Sequence, residues 1–137
     1  MTFENKPMQI LQPPEWARPQ GYSQGIAASG RLIFISGQIG WDEHCRFQTT
    51  DFVAQARQAL QNILTILAEA DGRADHLVRL TWYVLDKHEY LACSKELGAA
   101  YRSLMGQHYP AMTVVQVAAL IEEQARVEIE ATAVIPS

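Results

Sequence analysis

Residues 51–70, with the sequence DFVAQARQALQNILTILAEA, carry the strongest structural signal in the chain. Apolar residues recur there at intervals of three and four positions, which is the spacing of one face of an amphipathic helix. These positions are Val53, Ala56, Leu60, Ile63, Leu64 and Leu67. Thr50 or Asp51 is suited to cap the start, and Asp71-Gly72 follows the end, where glycine tolerates a left-handed backbone. We therefore predict an α-helix over residues 51–70.

Segments rich in β-branched and aromatic residues lie on both sides of this helix. We predict strands at 24–28, 31–36, 76–85, 112–117 and 126–135, and a second helix at 88–105. The turn residues Ser29-Gly30 predict a hairpin between the first two strands. The run 112–117 is apolar on both faces, which predicts a central strand. The order β-β-α-β-α-β-β indicates an α+β fold with two helices on one face of the sheet.

The opposite face of this sheet has no predicted element to cover it. Strands 77–85 and 112–117 carry apolar residues on both sides, so a monomer would expose a large apolar patch. We therefore expect a homo-oligomer that closes the open face of the sheet.

The composition indicates one ordinary globular domain of 137 residues. Four of the six prolines fall in the first twenty residues, which predicts an extended N-terminal arm at 1–20 and a single domain at 21–137. The net charge of −4 gives no support for nucleic-acid binding. No apolar run approaches the roughly 20 residues that span a membrane, and no signal peptide is evident. We expect a cytoplasmic protein with two free thiols.

Metal, phosphate and nucleophile motifs are not found in the sequence. The only local group of metal-ligating residues is Asp42-Glu43-His44-Cys45, in a predicted loop. Adjacent side chains rarely converge on one ion, so a solvated loop is the preferred interpretation and no metal site is expected.

Glu128 and Glu130 are the candidate acid–base residues. They share one face of the strand at 126–135, about 7 Å apart by strand geometry. A half-buried carboxylate there would suit proton transfer, whereas the alternating pattern also fits a solvent-exposed polar face. The residue pattern by itself leaves both interpretations open.

Five motifs, in order and at the right spacing, resemble the RidA (YjgF) family over residues 21–134. They are Gly21-Tyr22-Ser23-Gln24, Ile35-Ser36-Gly37-Gln38-Ile39, Gln55 with Asn62, Tyr101 with Pro110-Ala111, and Val127-Glu128-Ile129-Glu130-Ala131. The resemblance implies a chorismate-mutase-like protomer with a mixed sheet, and a homotrimer whose three sheets form a central barrel. It also implies small-molecule clefts between subunits and hydrolysis of enamines and imines without a metal or organic cofactor.

The resemblance also assigns roles to individual residues. It implies that Glu128 is catalytic and handles the water and the proton. The substrate-binding positions that it implies are Tyr22, Ser36, Gly37, Met112 and Val114. The backbone near Gly37 or Val114 would polarise the substrate.

One position departs from the family pattern. The active deaminases carry an arginine directly after Pro-Ala to bind the substrate carboxylate, and here Met112 follows Pro110-Ala111. Methionine offers only an apolar contact, so we expect little activity on simple amino-acid imines. Two hypotheses follow: a deaminase-type hydrolase acting on another small electrophile, or a non-catalytic module that binds a small metabolite. RNA cleavage, attached to some relatives, ranks below both.

Overall fold

The computed structural model describes residues 8–137 and shows a mixed α+β fold. Its strands are β1 (Met8–Leu11), β2 (Gly25–Ala28), β3 (Arg31–Ile39), β4 (Leu77–Val84), β5 (Ala111–Gln116) and β6 (Val127–Ile135). Its helices are α1 (Phe52–Ala68), α2 (Lys87–Ala92) and α3 (Ser94–Met105), and a 3-10 turn covers Ala74–His76. The main sheet has the order β3-β6-β4-β5 and is mixed, because β4 and β5 are parallel while the other neighbours are antiparallel. The predicted fold class is confirmed.

Helix α1 follows the predicted apolar pattern. The Asp51 carboxylate accepts a hydrogen bond from the Ala54 backbone N–H at 2.9 Å and so caps the first turn. The buried face then packs on β3 and β6. At the other end, Asp71 adopts the left-handed conformation with φ 60°, and Gly72 does not. The prediction that Gly72 supplies this conformation is therefore wrong.

The second predicted helix is interrupted at Cys93. This residue has φ −100° and ψ 15°, which ends α2 and begins α3. Asp86 caps α2 through hydrogen bonds from the backbone N–H groups of His88 and Glu89. Helix α3 packs beside α1, so both helices cover the same face of the sheet.

Strand pairing corrects two predictions. Strand β2 pairs with β1, and β3 pairs with β6, so the predicted hairpin at Ser29-Gly30 is wrong. Strand β5 lies at the edge of the sheet, although its apolar sequence predicted a central position. Of the predicted N-terminal arm, residues 8–11 form β1, and residues 1–7 lie outside the described part of the chain.

The open face of the sheet, opposite the helices, is chemically mixed. Strand β3 exposes Leu32 and Phe34 there, with 57% and 75% of their surface accessible. Strand β4 contributes Arg79 and Tyr83, so the face is less apolar than expected. Within residues 8–137, no helix has the length and apolar character needed to cross a membrane.

Candidate functional site

A β-bulge brings three of the predicted site residues together. The pairing of β3 with β6 shifts register between Ile35 and Gln38, so Ser36 and Gly37 occupy the bulge. The Glu128 side chain lies directly against Gly37: a Cβ added at this glycine would be 2.6 Å from Oε2 of Glu128. The bulge and the missing Cβ at position 37 therefore make the space that the carboxylate occupies.

The two glutamates of β6 have different surroundings. Tyr83 on β4 donates a hydrogen bond from its hydroxyl to Oε1 of Glu130 at 2.6 Å. This bond to a carboxylate, with burial, raises the pKa of Tyr83 above its ordinary value of 10.0. Glu128 is half-buried, and its carboxylate makes no hydrogen bond or ion pair within residues 8–137. It is therefore the glutamate available to an external water or ligand.

A cavity of about 260 Å³ lies beside Glu128 on the open face. Its walls include Tyr83, Leu120, Ile121 and Glu130, so the carboxylate borders both polar and apolar surface. Ser36 lines a neighbouring cavity of about 460 Å³ on the same face, together with Arg79 and Glu130. The two cavities share Glu130, which places Ser36, Gly37 and Glu128 in one region of the open face.

Met112 and Val114 lie on the other face of the sheet. They are in register with the buried residues Leu80 and Trp82 of β4, and they pack against the core beneath the helices. Met112 lines a cavity of about 240 Å³ that is bounded by α2, α3 and the sheet. We call this the helix-side cavity. Its walls include Trp82, Tyr90, Gly98, Tyr101, Arg102 and Tyr109.

The backbone on both sides of Tyr22 lies close to Met112. The next residue, Ser23, forms an isolated parallel bridge with Ala111, and the Ser23 backbone N–H donates to the Pro110 carbonyl at 3.0 Å. The preceding residue, Gly21, lines the helix-side cavity. The predicted site residues thus form two groups within one chain, one on each face of the sheet.

Two polar residues of α1 hold the segments around the bulge in place. Gln55 is fully buried and donates from Nε2 to the carbonyls of Thr49 and Gln124, at 3.0 and 2.9 Å. Its Oε1 accepts a hydrogen bond from the Arg126 backbone N–H at 2.8 Å, directly before β6. Asn62 donates to two backbone carbonyls at and just beyond the end of β3, those of Ile39 and Trp41. Both side chains fix the ends of the strands that carry Gly37 and Glu128.

The loop after β3 is organised by Asp42. Its carboxylate accepts hydrogen bonds from the backbone N–H groups of His44 and Arg46, and from Gln48 Nε2 at 2.9 Å. The bond from His44 contributes most to lowering the pKa of Asp42 below its ordinary value of 3.8. Across residues 8–137, no three His, Cys, Asp or Glu side chains are grouped to hold a metal ion.

Sequence reasoning missed two residues of these sites. Tyr83 reads as part of an apolar strand, and only the pairing of β4 with β6 places its hydroxyl on Glu130. Arg102 is exposed on α3, as expected for a charged helix residue, and it also lines the same cavity as Met112. Gly98 and Arg102 are four residues apart and therefore neighbours on one face of α3. This spacing is the one sequence signal that the Arg102 side chain could lie over Gly98 at the cavity.

Comparison with known sequences finds one family along nearly the whole chain. A family model described as Endoribonuclease L-PSP matches residues 15–135. A RutC family protein of Haemophilus influenzae is 34% identical over 105 residues, which cover 77% of this chain and 80% of that protein. The 2-iminobutanoate/2-iminopropanoate deaminase of Escherichia coli K12 is 33% identical over 116 residues, which cover 82% of this chain and 86% of the deaminase.

Solved structures share the fold. The Rid family protein YyfB of Yersinia pestis, of unknown function, superimposes with a TM-score of 0.80 at 28% identity, over 95% of this chain and 100% of that chain. The YjgF gene product of E. coli superimposes with a TM-score of 0.65 at 33% identity, over 82% of this chain and 87% of that chain.

Proposed function

The chain belongs to the Endoribonuclease L-PSP family, the family of RidA and YjgF, and from this premise we propose that it is a deaminase-type hydrolase. The proposed substrate is a small imine, enamine or related electrophile, and no cofactor takes part. The observation that carries the proposal is the unpartnered, half-buried carboxylate of Glu128 beside Gly37. The −4 charge does not favour RNA as a substrate.

Glu128 would move protons between water and the substrate. Its carboxylate accepts a proton from water while the water oxygen adds to the imine carbon, and the proton passes to the imine nitrogen. In the resulting carbinolamine, Glu128 accepts the hydroxyl proton and delivers it to the departing nitrogen. One imine and one water thus give one carbonyl compound and one ammonia. The proposal needs the carboxylate within hydrogen-bond reach of the water, and the cavity at Glu128 provides that access.

We place the complete site between copies of the chain. Glu128 and Met112 lie on opposite faces of the sheet in one chain, so a cleft that uses both needs residues from two subunits. Exposed Leu32 and Phe34 give the open face an apolar contact surface. A homotrimer is the proposed assembly, and light scattering should give the mass of three chains. The mass of one 15.4 kDa chain would contradict it.

Hydrolysis of freshly generated 2-iminopropanoate tests the role of Glu128. We expect slow turnover by the wild type, because Met112 supplies no charge for the carboxylate, and faster turnover by Met112→Arg. Glu128→Gln should return both proteins to the uncatalysed rate. The control is Glu123→Gln, at an exposed position that lines none of the three cavities. Equal rates with and without Glu128→Gln would remove this residue from the mechanism.

A binding module without turnover is the second candidate, and Met112 in place of the family arginine is the observation that favours it. In this case a ligand would raise the melting temperature by mass action and be recovered unchanged. Mass spectrometry of the ligand after incubation distinguishes the two candidates, since consumption of the stabilising ligand contradicts the binding module. A cytoplasmic location stays a prediction.

A further inference from the structure

The helix-side cavity has one charged wall residue. Of the residues that line it in the described chain, Arg102 alone carries a formal charge, and no carboxylate accompanies it. Within residues 8–137, the Arg102 side chain also makes no ion pair or hydrogen bond. Arg102 is exposed to solvent, and a guanidinium whose donors have no protein partner is suited to bind a planar anion such as a carboxylate.

Gly98 allows this guanidinium to lie over α3. A Cβ added at Gly98 would be 3.1 Å from Nη1 of Arg102, which is tighter than an ordinary contact. Glycine in a helix interior destabilises the helix relative to alanine, and the gain here is space for the guanidinium. Gly98 and Arg102 together therefore place a positive charge at the cavity. Met112, which lines the same cavity, carries no charge.

The remaining walls are mainly aromatic. Tyr101 and Tyr109 stack with ring centroids 5.5 Å apart, and Trp82 meets Tyr90 edge to face at 6.1 Å. The Tyr101 hydroxyl is already used, since it donates to the His108 carbonyl. These rings offer flat apolar surface to a conjugated ligand.

A buried donor of the same cavity wall has no partner. Trp82 is 3% exposed, and its indole Nε1 donates to no acceptor in the described residues. Buried indole N–H groups usually find an acceptor, but this nitrogen has less than 1 Å² of accessible surface, so ligand binding depends on the other wall residues. The cavity volume of about 240 Å³ lies below the range of roughly 300–1,000 Å³ for drug-sized ligands, which favours a metabolite-sized molecule.

We infer that the helix-side cavity binds a planar, conjugated monocarboxylate and that Arg102 replaces, from α3, the cation absent at position 112. The inference rests on the proposed function in one respect: the ligand is the carboxylate-bearing portion of the electrophile. Arg102 is then the residue that determines specificity. It would bind ligands whose negative charge lies beside α3, whereas the family arginine would bind a charge beside position 112. A flat ligand is favoured over a puckered one by the aromatic walls.

Calorimetric titration with trans-cinnamate tests this inference without turnover. We expect wild type to bind cinnamate at least about tenfold more tightly than cinnamamide or the puckered analogue 3-cyclohexylpropanoate. Arg102→Gln should lose the preference for cinnamate over cinnamamide, and Arg102→Lys should recover part of it. The matched control is Lys95→Gln, which removes the same charge from an exposed position of α3 outside the cavity.

Three results would overturn the inference: equal affinity for cinnamate and cinnamamide, equal loss in Arg102→Gln and Lys95→Gln, or no binding of cinnamate at millimolar concentration. Thermal melting of each variant shows whether it is folded. Cinnamate contains no imine, so its binding is measured independently of any turnover that depends on Glu128. Failure of hydrolysis and failure of binding are therefore distinguishable.

Discussion

The Glu128 side chain occupies the space where any residue other than glycine at position 37 would place its Cβ. Oε2, Cδ and Cγ of Glu128 would lie 2.6, 2.7 and 2.8 Å from that Cβ. The β-bulge at Ser36-Gly37 and the carboxylate on β6 are thus complementary in shape. The glycine in the motif Ile35-Ser36-Gly37-Gln38-Ile39 therefore has a steric reason.

Gly37→Ala should displace the Glu128 carboxylate. We expect a loss of stability of about 1–3 kcal/mol from overpacking, together with a loss of any hydrolytic activity that depends on Glu128. Chemical denaturation and the imine assay measure the two effects. Gly25→Ala is the matched control, because a Cβ there would meet Leu11 at an ordinary 3.5 Å. Similar behaviour of the two variants would contradict the steric explanation.

Gln55→Leu should destabilise the chain by at least about 3 kcal/mol. The substitution leaves the carbonyls of Thr49 and Gln124 and the N–H of Arg126 without their buried partner, at about 1–3 kcal/mol each. Urea denaturation measures the change in the free energy of unfolding. Gln61→Leu, at an exposed position of the same helix, should change it by less than about 0.5 kcal/mol. A loss below 1 kcal/mol in Gln55→Leu would refute this role.

Gly98→Ala should separate stability from ligand binding. Alanine favours the helix by about 0.5–1 kcal/mol, whereas its Cβ would lie 3.1 Å from Nη1 of Arg102 and shift the guanidinium by a few tenths of an ångström. We expect a higher melting temperature and weaker cinnamate binding. In an Arg102→Gln background, Gly98→Ala should leave cinnamate affinity unchanged. Weaker binding in that background too would mean that the glycine acts independently of Arg102.

Asp42→Asn should alter the pH dependence of stability. The pKa of Asp42 is lower in the folded chain than its ordinary 3.8, chiefly through the hydrogen bond from the His44 N–H. The ionised carboxylate therefore stabilises the fold above about pH 4, and this contribution is lost as the pH falls through the folded-state pKa. The wild type should exceed Asp42→Asn in melting temperature at pH 6, and the difference should shrink below pH 4. A difference that is constant with pH would exclude this origin.

Local pattern accounts for part of the structure. The spacing of apolar residues in 51–70 is enough to predict α1, because a 3.6-residue period repeats over five turns. The alternation of 126–135 predicts β6 with Glu128 and Glu130 on one face, and the structure places both opposite the buried residues Val127 and Ile129. The ordered motifs predict the family. Each of these signals depends only on neighbours in the chain or on a set of residue types.

Only the tertiary structure decides which of these elements meet. Ser29-Gly30 is a turn signal, yet β2 pairs with β1, and β3 pairs with β6 at the other end of the chain. The family resemblance assigns Glu128 and Met112 to one kind of cleft, but within one chain they lie on opposite faces of the sheet. Arg102 approaches the cavity of Met112 through the fold of α3 over the sheet. The spacing of apolar residues along the chain indicates which side of a helix or strand is buried. Packing between segments that are distant in sequence determines which residues that side is buried against.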